Sequence, residues 1–163
     1  MAVKLIYAAT EDRVIGSKGK LPWHLPSDLK RFQQKTTGQV VVMGSGTYFS
    51  LPGKKRPLKD RLNIVLTRNP SLKLHGVTIS QSLNSVISDY NDRDIYIIGG
   101  GEVLKHAINF ADEIHLTSIL NKIVGDTVSP IIDPAVWQVV SQSEVMEENG
   151  IRYRYIDYKR KSK

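Results

Sequence analysis

The alternation of strand-like and helix-like segments constrains the fold of this chain more than any other feature. Short runs rich in β-branched residues lie at residues 3–9, 39–43, 62–67, 77–80, 95–98 and 114–119, and longer alternating runs lie at 137–145 and 151–159. Helical spacing of apolar residues occurs at residues 27–36, 47–50, 82–90 and 102–110. Early strands that alternate with helices favour parallel pairing through right-handed crossovers.

The end of the chain predicts a different kind of pairing. Asn149 and Gly150 lie between the last two strand-like runs, and this dipeptide is a strong signal for the turn of an antiparallel hairpin. A chain of 163 residues is long enough to bury a sizeable core in one domain. We therefore predict one α/β domain over residues 1–163, built in three layers. Its central, mostly parallel mixed sheet has about eight strands, ends in an antiparallel hairpin, and is flanked by about four helices.

Composition excludes several classes of protein. The chain has no cysteine, which rules out disulfides, thiolate zinc sites and cysteine nucleophiles, and its four histidines lack metal-ligand spacing, so no metal is expected. No apolar run approaches the roughly 20 residues of a membrane span. The N-terminus turns acidic and has no basic segment before its apolar residues, so a signal peptide is not expected. The expected location is the cytoplasm.

The net charge of +7 is concentrated in two places. Residues 152–163 carry a net charge of +5 and residues 54–61 carry +4, so the rest of the chain is slightly negative. A terminal basic run is usually a solvated tail. A nucleic-acid-binding module would rest on that run alone, with Tyr153, Tyr155 and Tyr158 as its aromatic residues, and we expect no nucleic-acid partner.

Two strand-like runs end in glycine directly before a helical pattern. Residues 40–43 lead into 44–47 (GSGT), and residues 95–98 lead into 99–102 (GGGE). Glycine lets the backbone approach a ligand closely, and a helix N-terminus favours phosphate. The Rossmann fingerprint fails because Leu104 stands where its third glycine would be. Dinucleotide binding and plain tight turns both remain open as interpretations.

A carboxylate opens the first helical segment. In residues 21–32 (LPWHLPSDLKRF), Asp28 shares a helix face with Leu29 and Phe32. A carboxylate between apolar residues is costly to bury unless it is paired or used. The first helical turn favours its ionised form, whereas burial favours its protonated form. Asp28 is either an exposed acid that stabilises the helix dipole or a functional group.

These segments belong to a larger set of short motifs along the chain: residues 8–9, 13–16, 21–23 (LPW), 28–29 with Phe32, 42–44 with Thr47, 56–58, 61–63, 98–101 (IGGG), 116–117 and 125–127. Taken together, they resemble the dihydrofolate reductase family, and the resemblance covers essentially the whole chain. The resemblance implies that NADPH gives a hydride to C6 of 7,8-dihydrofolate, that N5 takes a proton, and that tetrahydrofolate is formed. It also implies antifolate inhibitors as ligands, polyglutamylated folates as further substrates, and a monomer.

The resemblance also assigns roles to single residues. Asp28 would accept hydrogen bonds from the pterin 2-amino group and N3 and promote protonation at N5 through water, with Thr117 supporting that carboxylate. Arg61 would hold the glutamate α-carboxylate, and Lys54, Lys55, Arg56 and Lys59 would border the path of added glutamates. The expected catalytic residues are Leu21, Trp23, Asp28 and Thr117. The expected substrate-binding residues are Ile6, Ala8, Asp28, Leu29, Phe32, Gln33, Leu51, Leu58, Arg61, Ile98 and Thr117.

For the cofactor NADPH, the resemblance implies contacts along the whole dinucleotide and a cis peptide between Gly99 and Gly100. The expected residues are Ala8, Ile15, Gly16, Gly19, Lys20, Leu21, Gly44, Ser45, Gly46, Thr47, Leu66, Thr67, Arg68, Gln81, Ile98, Gly99, Gly100, Gly101, Glu102, Val103 and Leu104. Two alternatives compete with this assignment. One is a riboflavin-pathway reductase, which shares the fold and cofactor but is not expected to have LPW followed by this acid and Phe32. The other is a binding protein that keeps the fold without turnover.

The chain departs from the family where the 2′-phosphate of NADPH would bind. Ser45 stands where the family usually has Lys or Arg, and Gln81 replaces another frequent basic residue, so Arg68 is the cation that remains. A lost charge-assisted contact costs about 1.5–3 kcal/mol. We predict that NADPH is preferred over NADH by a narrower margin than is usual. Comparing kcat/KM for the two cofactors tests this, and a preference of many thousandfold would contradict it.

Overall fold

The fold is that of a computed structural model, which describes residues 1–16 and 23–161. Four α-helices are present in these residues: α1 (Pro26–Thr36), α2 (Ser45–Ser50), α3 (Leu83–Asp89) and α4 (Gly101–Ala107). The strands are β1 (Val3–Thr10), β2 (Val14–Gly16), β3 (Val40–Gly44), β4 (Leu62–Leu66), β5 (Thr78–Ser80), β6 (Ile95–Gly99), β7 (Glu113–Ile119), β8 (Thr127–Val128), β9 (Trp137–Gln142), β10 (Met146–Glu148) and β11 (Ile151–Arg160). A short 3₁₀ helix covers Gly53–Lys55.

Nine strands form one central mixed sheet in the order β10-β11-β7-β1-β6-β3-β4-β5, with β9 also paired to β11. The pairs from β7 to β5 are parallel, and β11 runs antiparallel to β7, β9 and β10. Because β9 and β10 lie beside different parts of β11, the sheet has eight positions. The predicted three-layer α/β fold with four helices is confirmed.

The structure differs from the prediction at residues 137–145, because β9 ends at Gln142 and a separate strand, β10, begins at Met146. Gln142 pairs with Ile156 and Met146 pairs with Tyr153, so three residues of this segment face two of β11. Such an extra residue is a β-bulge and interrupts the ladder. The Ser143 hydroxyl oxygen compensates by accepting a hydrogen bond from the Tyr155 amide at 2.9 Å.

The predicted Asn149-Gly150 turn joins β10 to β11. Glu148 pairs with Ile151 across it, and the two turn residues have φ of 53° and 75°. Both values lie in the left-handed region that the hairpin turn requires and that Asn and Gly tolerate. The hairpin therefore forms where the dipeptide predicts it.

The C-terminal basic run is a strand rather than the solvated tail suggested by its charge. Through residue 160 it belongs to β11, next to β7. Arg160 donates to the Ala111 and Ile108 carbonyls at 2.9 and 2.7 Å, and its guanidinium lies 4.7 Å from the Trp137 ring. Strand pairing and these contacts hold the basic residues of β11 in the fold, although composition alone predicts that they are solvated.

Strand alternation divides the core between the two faces of the sheet. On β3, Val40 and Val42 pack with residues of α3 and α4, whereas Val41 and Met43 pack with Tyr48 of α2. Phe32 of α1 packs on this second face. Within residues 1–16 and 23–161, no helix is long and apolar enough to cross a membrane.

Candidate active site

A cleft of about 410 Å³ opens at the ends of the central strands, between α1, α2 and α4. Its volume is in the usual range for a small-molecule site. The structure brings together here the following residues expected from the sequence: Ile6, Ala8, Ile15, Gly16, Asp28, Leu29, Phe32, Gly46, Thr47, Leu51, Ile98, Gly99, Gly100, Gly101, Leu104 and Thr117. The residues expected at the pterin and at the nicotinamide therefore share one cavity.

The Asp28 carboxylate is the one acidic group among the described residues that line this cleft. Thr117 on β7, only 3% exposed, donates its hydroxyl proton to Asp28 Oδ1 at 2.6 Å. Burial raises the pKa of Asp28 above its usual value, against the opposing effects of the Thr117 hydrogen bond and the Arg31 charge. Of the two interpretations of Asp28, the structure favours the functional one.

The helix that carries Asp28 is held at its first turn by a distant hairpin. Pro26 is the first residue of α1. The next residue, Ser27, donates its backbone amide to Glu148 Oε1 at 2.9 Å and its hydroxyl to Glu148 Oε2 at 2.5 Å. Asn149 donates its side-chain amide to the His24 carbonyl at 3.2 Å. A carboxylate at this helix end satisfies an amide that would otherwise lack a partner. The β10–β11 hairpin thus holds the start of the helix that carries Asp28.

Trp23 lies just before α1 and is buried with Leu25 against Ile119 and Tyr153. It is not among the described residues that line the cleft. In this structure Trp23 anchors the segment that enters α1, and its expected catalytic contact stays a prediction. The expected contacts of Gly19, Lys20 and Leu21 fall outside the described residues.

Two helices begin near the cleft without a side-chain cap. α2 follows Gly44 and α4 follows Gly100, and no side chain in the described ranges caps either helix. In contrast, α3 begins away from the cleft and is capped, since the Ser85 amide donates to Ser82 Oγ at 3.2 Å. The first amides of α2 and α4 are therefore available to phosphate oxygens of a ligand.

Glycines keep the floor between these two helix starts clear. The Gly99–Gly100 peptide is cis, as predicted. A Cβ atom at either residue would lie 3.3 Å from Thr47 Oγ1, and one at Gly44 would lie 3.3 Å from Val103 Cγ2. Larger residues would crowd this corner, so the residues present fit a dinucleotide pyrophosphate.

The residues expected at the 2′-phosphate lie together at the edge of the sheet. Gly44, Leu66 and Ser80 are neighbours in the parallel register, so Ser45, Thr67 and Gln81 follow them side by side. The Thr67 amide donates to the Ser80 carbonyl at 3.0 Å and fixes this corner. Arg68 and Gln81 are both exposed here.

Arg61 lies against α1 and is not among the described residues that line the cleft. Its Nη1 donates to Thr36 Oγ1 at 3.1 Å, its Nε donates to the Lys59 carbonyl at 2.9 Å, and its guanidinium lies 5.7 Å from the Phe32 ring. Buried Asn63 holds the preceding turn by accepting from the Leu58 amide at 2.8 Å and donating to the Leu58 and Arg61 carbonyls. The guanidinium is thus placed beside the cleft-lining Phe32.

Other expected site residues lie outside the cleft wall. Leu58 is buried in the core on the α2 side of the sheet, and Gln33 is exposed near the end of α1. Glu102 is exposed and pairs with Lys105 at 3.6 Å, while Val103 packs against the core on the opposite face. Their contacts with ligands stay predictions.

Sequence reasoning missed four residues that line the cleft: Tyr7, Arg31, Ser50 and Thr127. Arg31 follows Asp28 by one helical turn, and Ser50 follows Thr47 in the same way, so helical spacing would have indicated both. Thr127 reaches the cleft because β8 pairs with β2. These strands of two and three residues are too short to give a sequence pattern.

A single carboxylate, apolar walls and uncapped, glycine-rich helix starts are the features expected of a domain of the reductase type, with room for a dinucleotide beside a small aromatic ring. The family model described as dihydrofolate reductase matches residues 2–160. The chain belongs to the dihydrofolate reductase family. The predictions of the family and the fold are therefore confirmed, and the match favours this family over a riboflavin-pathway reductase.

Individual relatives agree with the family match. The dihydrofolate reductase of Bacillus subtilis is 33% identical over 98% of this chain and 95% of its own length, and that of Haemophilus influenzae is 41% identical over 85% of each. The bifunctional dihydrofolate reductase-thymidylate synthase 1 of Arabidopsis thaliana is 37% identical over 96% of this chain. The chain spans about a third of the length of this and similar bifunctional plant relatives.

A solved structure gives the same result. Dihydrofolate reductase from Enterococcus faecalis, complexed with NADP(H) and RAB-propyl, superposes with a TM-score of 0.90. It is 36% identical, and the alignment covers 99% of this chain and 97% of that one. The likeness extends over the sheet and the helices around the cleft.

The raised pKa of Asp28 predicts a pH-dependent effect on stability. The folded protein takes up this proton at a higher pH than the unfolded chain, so ionised Asp28 lowers the free energy of unfolding. Asp28→Asn should therefore raise the melting temperature at pH 7, and the gain should disappear as the pH falls below the ordinary value of 3.8. Asp92→Asn, at a side chain 72% exposed, is the matched control. A gain that is equal at all pH values would contradict the prediction.

Proposed function

We propose that this chain reduces 7,8-dihydrofolate to tetrahydrofolate with NADPH. The observation that carries the proposal is the Asp28–Thr117 pair, which lies in the same cleft as the uncapped starts of α2 and α4. The name of the family and the NADP(H) bound to its Enterococcus faecalis member support the proposal. The further proposals are a single catalytic domain over residues 1–163, a monomer, and activity in the cytoplasm.

NADPH, when bound, supplies the hydride for this reduction. Gly46, Thr47 and the glycines at 99–101 would hold the pyrophosphate through their backbone amides and the space above them. Ala8, Ile15 and Gly16 would contact the nicotinamide end, and Arg68 would face the adenosine phosphate. The chain's own task is to orient the two ligands and to exclude water.

Asp28 provides the polar recognition of the pterin. One of its oxygens already accepts the Thr117 hydroxyl proton, and the carboxylate retains capacity to accept from the 2-amino group and N3 of the substrate. The negative charge beside the ring favours proton uptake at N5, and water delivers that proton. Burial strengthens this electrostatic effect because the surrounding dielectric is low.

Apolar side chains of α1 and β6 would enclose the rings. Leu29 is 45% exposed although it lines the cleft with Phe32 and Ile98. An apolar side chain left open at a concave site is typical of a surface that a ligand covers. Ile6 and Leu51 complete the wall on the same face of the sheet.

Replacement of Asp28 tests the proposed reaction. Wild-type protein should oxidise NADPH only after dihydrofolate is added, and Asp28→Asn should lower kcat/KM at pH 7 by a hundredfold or more. Thr117→Val should move the acidic limb of the pH profile of kcat/KM to higher pH, because the hydroxyl stabilises the ionised carboxylate. Asp92→Asn should leave both measurements unchanged. A wild-type protein that binds NADPH without oxidising it would favour the binding-protein alternative.

Replacement of Arg61 tests how the glutamate end of the substrate is recognised. A guanidinium can bind a carboxylate with two hydrogen bonds, so Arg61→Gln should raise KM for dihydrofolate about ten- to a hundredfold with little change in kcat. Arg61→Lys should recover only part of the affinity. An unchanged KM in Arg61→Gln would exclude this role.

Replacing the cations near Arg61 tests whether they bind the added glutamates of polyglutamylated substrates. Lys54 and Lys55 are exposed, whereas Arg56 donates to the Phe49 carbonyl at 3.4 Å. One variant replaces Lys54, Lys55 and Lys59 by Gln, and a second also neutralises Arg56. Both should weaken the binding of polyglutamylated dihydrofolate and leave the binding of the monoglutamate unchanged. Unchanged polyglutamate affinity in both variants would reject the proposed path.

A further inference from the structure

A second cavity, of about 270 Å³, lies on the face of the sheet opposite the active-site cleft. Strand alternation separates the two spaces: Thr117 faces the cleft, while its neighbour Ser118 lines the second cavity. Tyr7 borders both. The proposed reaction uses none of the side chains of β7 or β11 on this face.

Two buried polar groups in this cavity, the Tyr7 hydroxyl and Nε of Arg154, form no hydrogen bond of normal geometry with a described residue. The Ser129 side chain lies near the Tyr7 hydroxyl but does not complete such a bond. Tyr7 is only 9% exposed, so water does not readily replace the missing bond. A buried polar group left unsatisfied is costly and calls for an explanation such as a bound ligand.

The charges of the cavity favour an anion. Arg13 and Arg154 both line it, and within residues 1–16 and 23–161 neither forms an ion pair. Arg13 donates through Nη1 to the Ser129 carbonyl at 2.8 Å, which holds its guanidinium at the cavity. Glu11 is the single carboxylate among the described lining residues and pairs with neither arginine. The cavity therefore has a net positive charge.

We propose that this second cavity binds a small oxyanion, a phosphate or carboxylate group, between Arg13 and Arg154. The guanidiniums and the Tyr7 hydroxyl donate hydrogen bonds, and phosphate and carboxylate oxygens accept them in the planar geometry that arginine offers. Ser118 and Ser129 supply further hydroxyls to the wall. The volume admits a small anion rather than a dinucleotide. The inference is independent of the proposed reaction.

Amide NMR titrations locate the site, because binding at the second cavity and in the cleft perturbs different residues. Inorganic phosphate and malonate are added separately to the ¹⁵N-labelled protein, with and without saturating NADPH to fill the cleft. We expect saturable shifts at Thr10, Ser118 and Arg154 under both conditions, with the tighter probe identifying the anion class. Arg154→Gln should weaken this binding at least tenfold, about 1.4 kcal/mol.

Two further variants make the test decisive. Arg152→Gln removes the same charge from an exposed position two residues along β11 and should leave binding unchanged. Tyr7→Phe keeps the ring in the core and should weaken binding by removing only the hydroxyl. If neither probe shifts these amides, or if Arg154→Gln and Arg152→Gln behave alike, the proposal is wrong.

Discussion

The hydrogen bond from Thr117 to Asp28 is the interaction on which the arrangement of the site depends. It joins the first turn of α1 to the middle of β7 at 2.6 Å, across residues 89 positions apart. Without it, the carboxylate would face an apolar cleft with one acceptor unsatisfied, which is costly. Because burial still raises the pKa of Asp28, the site keeps a carboxylate whose ionised form is unfavourable for folding and which the proposed reaction uses.

That unfavourable group is tolerated because the rest of the fold fixes α1 independently. Glu148 and Asn149 hold the segment just before and at the first turn, and buried Trp23 and Leu25 hold the chain that enters it. These contacts come from the antiparallel end of the sheet, whereas the glycine corners come from its parallel part. The parallel part of the sheet therefore lines the cleft directly, whereas the antiparallel end acts on it through the start of α1.

Long periodic segments were predictable, and contacts between distant short segments were not. The strands β3, β6 and β7 were predictable because their residues are buried and rich in β-branched side chains. The turn at Asn149-Gly150 was predictable because it needs two residues that tolerate positive φ. The bulge at Ser143 and the β2–β8 pair depend on which distant residues pair, and strands of two and three residues are too short for their pattern to fix a register. The contacts of Arg61 with Thr36 and Phe32 likewise arise only in the folded chain.

Several positive charges of the chain are held at fixed positions by hydrogen bonds rather than spread over one surface. Arg61 is fixed beside α1 by hydrogen bonds, and Arg160 is fixed by carbonyls at the end of the sheet. At the ends of β3, β4 and β5, the parallel register aligns Ser45, Thr67 and Gln81, and the exposed Arg68 directly follows Thr67 in the chain. Coulomb attraction between exposed charges is screened within about 10 Å at 0.1 M salt, so the distant cations contribute little at this edge. In the proposed binding mode, Arg68 is therefore the residue on which the electrostatic part of cofactor discrimination would rest.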